Sequence, residues 1–206
     1  MLEVFVWLGT VTFAATGALV AVAKRFDLIG TLVLASVTAV GGGAIRDVIV
    51  GSLPPSSFTN EPLLWVVALT GIVTFYLHPY LHAEGRLLYA LDTLGLAIFA
   101  VLGAERGLSF GLGLWGTVFA GAVSGVGGGV LRDLLSGQVP GILYRSGDFY
   151  ASAAAFGALV VFLLYGLNPA LAIALGALTT VGLRVGGRAL GFHLPTPKEL
   201  LEGDSK

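Results

Sequence analysis

Cysteine is missing from the 206 residues of the chain, which excludes disulfide bonds, zinc thiolate sites and thiol nucleophiles. Charged residues are scarce, at 11% of the sequence, whereas a soluble domain carries about 25%. The net charge is −1, and no basic stripe suited to nucleic acid is present. Walker motifs, nucleophile elbows and paired catalytic carboxylates are also missing. The sequence therefore predicts no enzyme, no nucleotide, no cofactor and no metal site.

Apolar residues are abundant instead, at 56% of the chain, with a mean hydropathy of +0.91. So little polar surface cannot cover a water-soluble domain, and a bilayer core requires about 20 apolar residues per helix. We therefore predict a single all-α transmembrane domain over residues 1–206, with seven transmembrane helices in a lipid bilayer. The predicted spans are Val4–Ala23, Leu28–Ile49, Pro62–Tyr80, Leu87–Gly103, Leu108–Leu135, Phe149–Gly166 and Pro169–Ala189.

One phrase of the sequence occurs twice, 86 residues apart. Gly-Gly-Gly-x-x-Arg-Asp begins at Gly41 and again at Gly127, and from there to Pro54 and Pro140 seven of 14 positions are identical. The offset predicts repeat A over 4–80, repeat B over 87–166, an extra helix over 169–189 and a tail over 193–206. Because each repeat has three spans, the second must cross the membrane in the opposite sense, as a 3+3 inverted repeat.

The glycine triplets are unusual inside long apolar spans. Three glycines cost roughly 3 kcal/mol of helix propensity relative to alanine, which predicts that helices 2 and 5 break there and line a pore or site. The alternative is close helix packing, because small residues spaced by four also let helices touch. The predicted hinge residues are Gly41, Gly42, Gly43, Gly127, Gly128 and Gly129.

An Arg-Asp pair follows each triplet. Sequence neighbours on a helix point about 100° apart, so Arg46 and Asp47 are not expected to face each other. The inverted repeat offers other partners, and we predict that Arg46 pairs with Asp133 and that Arg132 pairs with Asp47. The alternative is that each pair anchors its helix at the level of the lipid headgroups.

Three further residues are candidates for the lining of a pore. Asp92 lies inside an apolar span without an opposite charge three or four residues away, which is typical of a functional acid. It could attract cations at a pore mouth, or it could be a helix-end acid that bonds a hydroxyl or interfacial water. Thr38 and Ser124 correspond under the offset of 86 and each precede a triplet by three residues. They are the predicted pore-lining hydroxyls.

Basic residues in loops indicate the orientation, because they collect on the cytoplasmic side. An N-terminus outside and a cytoplasmic C-terminus leave only Arg106 outside, apart from the two Arg-Asp pairs. The cytoplasmic residues would be Lys24, Arg25, Arg86, Arg145, Arg184, Arg188, Lys198 and Lys206. This distribution predicts a multi-pass protein of the cell inner membrane with residues 193–206 as a cytoplasmic tail.

The doubled phrase, with its trailing glycine and proline, resembles that of the prokaryotic trimeric intracellular cation (TRIC) channel family. The resemblance covers nearly the whole chain. It implies a homotrimer with a separate potassium-permeable pathway for monovalent cations, potassium or sodium, inside each protomer. It also implies an hourglass pore between helices 2 and 5. The residues carried over are the two glycine triplets with Arg46, Asp47, Arg132 and Asp133.

A second function is also compatible with the sequence. Related bacterial domains are described as glycine transporters, and inverted repeats with interrupted helices are typical of secondary transporters. One arginine and one aspartate in each repeat could hold the carboxylate and the amine of a small zwitterion such as glycine. A membrane scaffold without transport is a third and weaker alternative, since it would need neither charged pair.

Overall fold

The computed structural model describes residues 2–81, 85–143 and 149–191, almost all of them in α-helices. The predicted tail 193–206 and Arg145 lie outside the described residues. The helices are α1 (Leu2–Ala23), α2 (Leu28–Val50), α3 (Ser56–Thr59), α4 (Glu61–Leu81), α5 (Arg86–Ser109), α6 (Leu114–Leu135), α7 (Tyr150–Leu164) and α8 (Pro169–Leu190), with a 3₁₀ turn at Gly141–Leu143.

Six of the described helices are long and apolar enough to cross a membrane: α1, α2, α4, α5, α6 and α8. Large apolar side chains lie on the outside of the bundle, such as Trp65, Trp115 and Leu178, which suits contact with lipid tails. The all-α membrane fold is confirmed. The helix in the predicted span Phe149–Gly166 is shorter, since the 15 residues of α7 extend about 22 Å.

The predicted boundary between the fourth and fifth spans is wrong. Helix α5 continues to Ser109, and α6 begins only at Leu114. The charged residues Glu105 and Arg106 led the prediction to end the fourth span too early. Arg106 instead remains helical and reaches sideways to donate a hydrogen bond to Ser52 Oγ at 2.7 Å, as long cationic side chains at helix ends can.

Helices α2 and α6 cross where their backbones touch. A side chain on Gly42 would collide with the carbonyl oxygen of Ser124, and one on Gly128 would collide with that of Thr38. Under the offset of 86, Gly42 corresponds to Gly128 and Thr38 to Ser124, so the two contacts are reciprocal. Reciprocal contacts are the signature of a two-fold relation. Thr38 of α2 contacts Gly128 of α6, and Gly42, four residues further along α2, contacts Ser124, four residues earlier on α6. The two helices are therefore antiparallel.

Other equivalent residues repeat this symmetry. The rings of Phe13 and Phe99, also 86 residues apart, stack on each other with centroids 5.2 Å apart. Gly17 packs against α2 beside Thr38, and its equivalent Gly103 packs against α6 beside Ser124. The two-fold axis therefore passes close to the crossing of α2 and α6. Three helices in each repeat, α1, α2 and α4 against α5, α6 and α7, are what an inverted repeat with its axis in the membrane plane requires.

The prediction that helices 2 and 5 break at their glycine triplets is wrong. The corresponding helices, α2 and α6, are continuous through Gly41–Gly43 and Gly127–Gly129. Tertiary packing explains the glycines, because only a residue without a side chain allows the backbone contacts at Gly42 and Gly128. The packing alternative therefore describes this crossing, and the contact between the helices offsets the loss of helix propensity.

The trailing glycine of each phrase ends its helix. Gly51 is the C-cap of α2 and has a φ of 78°, while its equivalent Gly137 follows α6 with a φ of 71°. Both conformations are left-handed, which glycine adopts without steric cost. The phrase thus specifies a helix crossing, an Arg-Asp pair and a helix end within 11 residues of each copy.

Helix α8 has no equivalent in the other repeat. It packs against α5 and α7, and the contact with α7 is close because Gly157 lies directly against Thr180. This packing fixes the rotation of α8 about its axis. One consequence is that Arg184 is buried in the bundle and points towards α5.

Candidate functional site

Two charged clusters lie at opposite ends of the crossing of α2 and α6. Arg46 and Asp47 follow Gly42 by about one helical turn on α2, and Arg132 and Asp133 follow Gly128 on α6. Because the two helices are antiparallel, the pairs are displaced in opposite directions from the crossing. We refer to these two ends of the bundle as the Arg46 end and the Arg132 end.

At the Arg46 end every nitrogen of the guanidinium group has a partner. Nε and Nη2 of Arg46 donate to Oδ1 of Asp47 at 3.0 and 2.7 Å, and Nη1 donates to Ser124 Oγ at 3.3 Å. The second carboxylate oxygen of Asp47 accepts from the backbone N–H and the hydroxyl of Ser56 at 2.8 and 2.7 Å. Asp47 is completely buried, so this hydrogen-bonded network replaces its hydration.

A cavity of about 260 Å³ adjoins the cluster at the Arg46 end, between α1, α2, α5 and the segment that contains α3. Its polar lining includes Thr10, Glu105 and Arg106. Arg106 brings a second cation to the cluster, since its Nε lies 3.9 Å from Oδ1 of Asp47. The space is large enough for several water molecules next to buried charges.

Among the described residues, the Arg132 end contains three ion pairs and the Arg46 end contains two. Arg132 donates from Nη1 to Oδ1 of Asp92 at 2.7 Å and from Nε to Oδ1 of Asp133 at 3.0 Å. Arg184 donates from Nη2 to Oδ2 of Asp92 at 2.7 Å. The remaining carboxylate oxygen of Asp133 accepts from the backbone N–H of Gly141 at 3.2 Å. Helices α5, α6 and α8 are thereby joined through buried charges.

A smaller cavity of about 100 Å³ adjoins this cluster and is lined by its charged side chains and Tyr150. The guanidinium carbon of Arg184 lies over two aromatic rings, 4.4 Å from the centroid of Tyr150 and 5.0 Å from that of Tyr89. Cation–π contact stabilises the charge in this position.

The predicted charge pairs between repeats are wrong. Arg46 pairs with Asp47 and Arg132 pairs with Asp133, each with its own neighbour in sequence. The angle of 100° between neighbouring residues describes their Cβ directions, and a long arginine side chain can fold back across it. The headgroup alternative is not supported either, because the side chains of Arg46 and Arg132 are only 10% and 9% exposed.

Asp92 lies beside Arg132 and Arg184, so two cations neutralise its carboxylate, and neither a hydroxyl nor interfacial water is needed as its partner. Arg184 was counted among the cytoplasmic loop residues, yet it is 4% exposed. The pairing of Asp92 with Arg184 and the contributions of Ser56 and Tyr150 are not among the sequence predictions. One signal was available, because an acid and a base that each lack a local partner inside apolar spans are candidates to pair with each other.

The two predicted pore-lining hydroxyls lie at the crossing but make different bonds. Thr38 is buried, and its hydroxyl donates to the carbonyl oxygen of Leu34 in its own helix at 2.6 Å. Ser124 is also buried and accepts a hydrogen bond from Arg46, which reaches across from α2. The equivalence in sequence therefore does not extend to the hydrogen bonds.

Comparison with known proteins gives similarity over most of the chain. A family model described as "Glycine transporter" matches residues 3–79 and again 89–166, so the second match starts 86 residues after the first. A UPF0126 membrane protein of Deinococcus radiodurans is 47% identical over 189 residues, covering 91% of this chain and 88% of the relative. The UPF0126 inner membrane protein YadS of Escherichia coli strain K12 is 34% identical over 206 residues, covering 96% of both.

Solved structures show the same fold. A structure that describes conductance through TRIC cation channels superimposes with a TM-score of 0.85 at 37% identity, covering 94% of this chain and 96% of the other. The TRIC trimeric intracellular cation channel orthologue from Rhodobacter sphaeroides gives a TM-score of 0.87 at 35% identity, covering 93% and 98%.

Proposed function

The chain belongs to the membrane protein family described as glycine transporters and has the fold of the TRIC cation channels, and from this premise we propose that it is a passive channel for monovalent cations. The permeant ions are potassium or sodium. The pathway runs within each protomer, between α2 and α6, and narrows at their crossing as an hourglass.

One observation carries this proposal. At the crossing itself α2 and α6 touch through Gly42, Gly128 and the carbonyl oxygens of Ser124 and Thr38, and a polar cavity adjoins the crossing at each end. Glycine at the crossing would therefore let a small displacement of one helix connect the two cavities.

Oxygen atoms at the crossing favour cations over anions. The carbonyl oxygens of Thr38 and Ser124 face the opposite glycines, and each carbonyl has a second lone pair beyond its helical hydrogen bond. Carbonyl rings of this kind replace the hydration shell of an ion in selectivity filters. Since α2 and α6 are continuous, these carbonyls, and not the ends of broken helices, would coordinate the ion.

Electrical recording tests the proposal. Purified protein in a planar bilayer with potassium on both sides is expected to give discrete unitary steps that reverse at the cation equilibrium potential under a potassium or sodium gradient. Gly128→Ala is expected to lower the unitary conductance, because its methyl group occupies the crossing. Gly182→Ala is the matched control, since Gly182 has no neighbouring atom within 4 Å of an added Cβ. If Gly128→Ala and Gly182→Ala gave equal unitary conductance, the pathway would not pass through the crossing of α2 and α6.

A secondary transporter for a small zwitterion is the alternative function. The description of the matched family favours it, as does the presence of guanidinium and carboxylate groups beside both cavities. Saturable uptake of glycine into liposomes, together with bilayers that show no unitary steps, would establish this alternative and overturn the channel. The two readouts are independent, so each function can be rejected separately.

We also propose a homotrimer in the cell inner membrane, with the N-terminus outside and the C-terminus in the cytoplasm. The absence of cysteine makes the orientation simple to test, because a single introduced cysteine is the only thiol. In intact cells an impermeant maleimide is expected to label Ser109→Cys, at the end of α5, but not Arg25→Cys, after α1. The reverse pattern would invert the topology, and mass measurement of the cross-linked protein would give the number of subunits.

A further inference from the structure

We propose that the cavity at the Arg132 end binds one small anion, either an inorganic ion such as chloride or the carboxylate of a small organic acid. The site is formed by Arg184 and Tyr150 and goes beyond the proposed conduction of cations. Its ligand would be held next to the pathway by groups that a permeant cation does not use.

Unpaired hydrogen-bond donors point to the ligand. Nε and Nη1 of Arg184 and the hydroxyl of Tyr150 are buried and have no hydrogen-bond partner. Native proteins rarely leave such groups unsatisfied, because the lost hydration is not replaced. Both side chains line the same cavity, so one ligand with lone pairs could satisfy them together.

The acceptors at this end are already occupied. All four carboxylate oxygens of Asp92 and Asp133 accept a hydrogen bond from Arg132, Arg184 or the backbone of Gly141. A cation that entered would meet oxygens that arginine or backbone donors already hold, whereas an anion would meet donors that lack a partner. The chemistry of the unpaired groups therefore selects negative charge.

The size of the cavity limits the ligand. Its volume of about 100 Å³ corresponds to a few water molecules, which occupy about 30 Å³ each in the liquid. Chloride, formate and acetate are of this size, and sugar acids or lipid headgroups are much larger. The N–H donors of a guanidinium group lie in its plane, so the ligand must approach Nε and Nη1 of Arg184 from the edge.

The location links this site to the crossing. A side chain on Gly129 would collide with the hydroxyl of Tyr150, so Tyr150 touches the glycine triplet of α6 directly. A ligand bound to the Tyr150 hydroxyl would thus contact a side chain that packs directly against α6, one wall of the proposed pathway. At the Arg46 end Nε, Nη1 and Nη2 of Arg46 are all bonded. The donor without a hydrogen bond there, among the described residues, is Arg106 Nε, which lies 3.9 Å from the carboxylate of Asp47 and so faces a negative charge.

Thermal unfolding of the purified protein in detergent tests the proposal. Sodium gluconate at constant ionic strength is the background, since gluconate is too large for the cavity. Sodium chloride or sodium acetate then replaces it stepwise. We expect a saturable rise of the Tm, as for any ligand that binds only the native state. A response to chloride alone identifies an inorganic ion site, and a tighter response to acetate identifies a carboxylate site.

Two variants separate binding from folding. Tyr150→Phe keeps the stacked ring and all ion pairs but removes one donor, and Arg184→Lys keeps the charge next to Asp92 but removes Nε and Nη1. Tyr150→Phe is expected to weaken the apparent anion affinity about tenfold, as for the loss of one hydrogen bond to a charged ligand, and Arg184→Lys is expected to weaken it at least as much because it removes two donors. Tyr165→Phe and Arg106→Lys are the matched controls and are expected to keep the affinity of the native chain.

Three outcomes would overturn the site: no anion-specific shift of the Tm, an equal shift in the Tyr150→Phe variant, or an equal shift with methylammonium gluconate. If Arg184→Lys does not fold, Tyr150→Phe decides alone, because it removes no ion pair. The readout is binding and does not involve ion flux. A failure here therefore leaves the channel proposal intact, and silent bilayers leave the anion site intact.

Discussion

The Arg46 end and the Arg132 end contain the same sequence phrase, Gly-Gly-Gly-x-x-Arg-Asp, but differ in the residues that surround it. At the Arg46 end one buried acid, Asp47, holds the arginine, and Ser124 completes its hydrogen bonds. At the Arg132 end two acids share two arginines, and donors remain unpaired. Among the described residues, the first end leaves Arg106 Nε without a hydrogen bond and borders the larger cavity, whereas Arg184 and Tyr150 leave three donors unpaired at the second end, which borders the smaller one.

The difference comes from positions outside the phrase. The residue of repeat A that corresponds to Asp92 is Val6, and the one that corresponds to Tyr150 is Leu64. Arg184 belongs to α8, which repeat A lacks. A duplicated motif thus conserves the helix crossing, and the single substituted positions around it decide the electrostatics of each end.

Removal of Asp92, the acid of the Arg132 end that has no equivalent in repeat A, is expected to cause the largest loss of stability. Asp92→Asn leaves Arg132 and Arg184 buried without their shared counter-charge, and breaking such a pair costs about 3–5 kcal/mol. Thermal unfolding in detergent measures the loss. Asp27→Asn is the control, since Asp27 caps α2 and Asn caps equally well. An unchanged Tm of Asp92→Asn would show that these ion pairs do not hold the helices together.

The glycine triplets give a test within one phrase. Gly128→Ala places a methyl group against the backbone of α2 and is expected to cost about 3 kcal/mol, as overpacking does. Gly43→Ala meets only ordinary contacts, with Arg46 Nη2 at 3.7 Å and Ser57 Oγ at 3.8 Å, and gains up to about 1 kcal/mol of helix propensity. Chemical denaturation compares them, and equal losses would refute the packing role of Gly128.

The equivalent glycines Gly43 and Gly129 sharpen the comparison of the two ends. Gly129→Ala would collide with the hydroxyl of Tyr150, and we expect it to cost about 2 kcal/mol, whereas Gly43→Ala costs nothing. Because the obstacle is one oxygen atom, Tyr150→Phe should relieve most of the loss. A double-mutant cycle on the free energy of unfolding measures this coupling, and additive losses would contradict it.

The smallest effect is expected from the hydroxyls at the crossing. Ser124→Ala removes the partner of Arg46 Nη1 and is expected to cost about 1 kcal/mol. Thr38→Val removes only a bond within its own helix and keeps the shape of the side chain, so a smaller change is expected. Unfolding by denaturant at matched detergent concentration compares the two. A larger loss for Thr38→Val would reverse the assignment of the hydroxyls.

Much of the fold follows from the sequence alone. Apolar length fixes the membrane spans, because each helix must satisfy its backbone hydrogen bonds internally within the thickness of the bilayer. The offset of 86 residues identifies which positions are equivalent, and the structure places Phe13 on Phe99 accordingly. The ends of α2 and α6 follow from Gly51 and Gly137, since glycine tolerates the left-handed conformation.

Only the tertiary structure decided the partners of the charges and the role of the glycines. Asp92 bonds Arg132, 40 residues away, and Arg184, 92 residues away, and helical periodicity contains no information on such distant contacts. The same limit applies to the triplets, where local propensity predicts a broken helix and the contact between two backbones restores a continuous one. Local preferences are small compared with packing, so the sequence determined which residues are unusual and the fold determined what they touch.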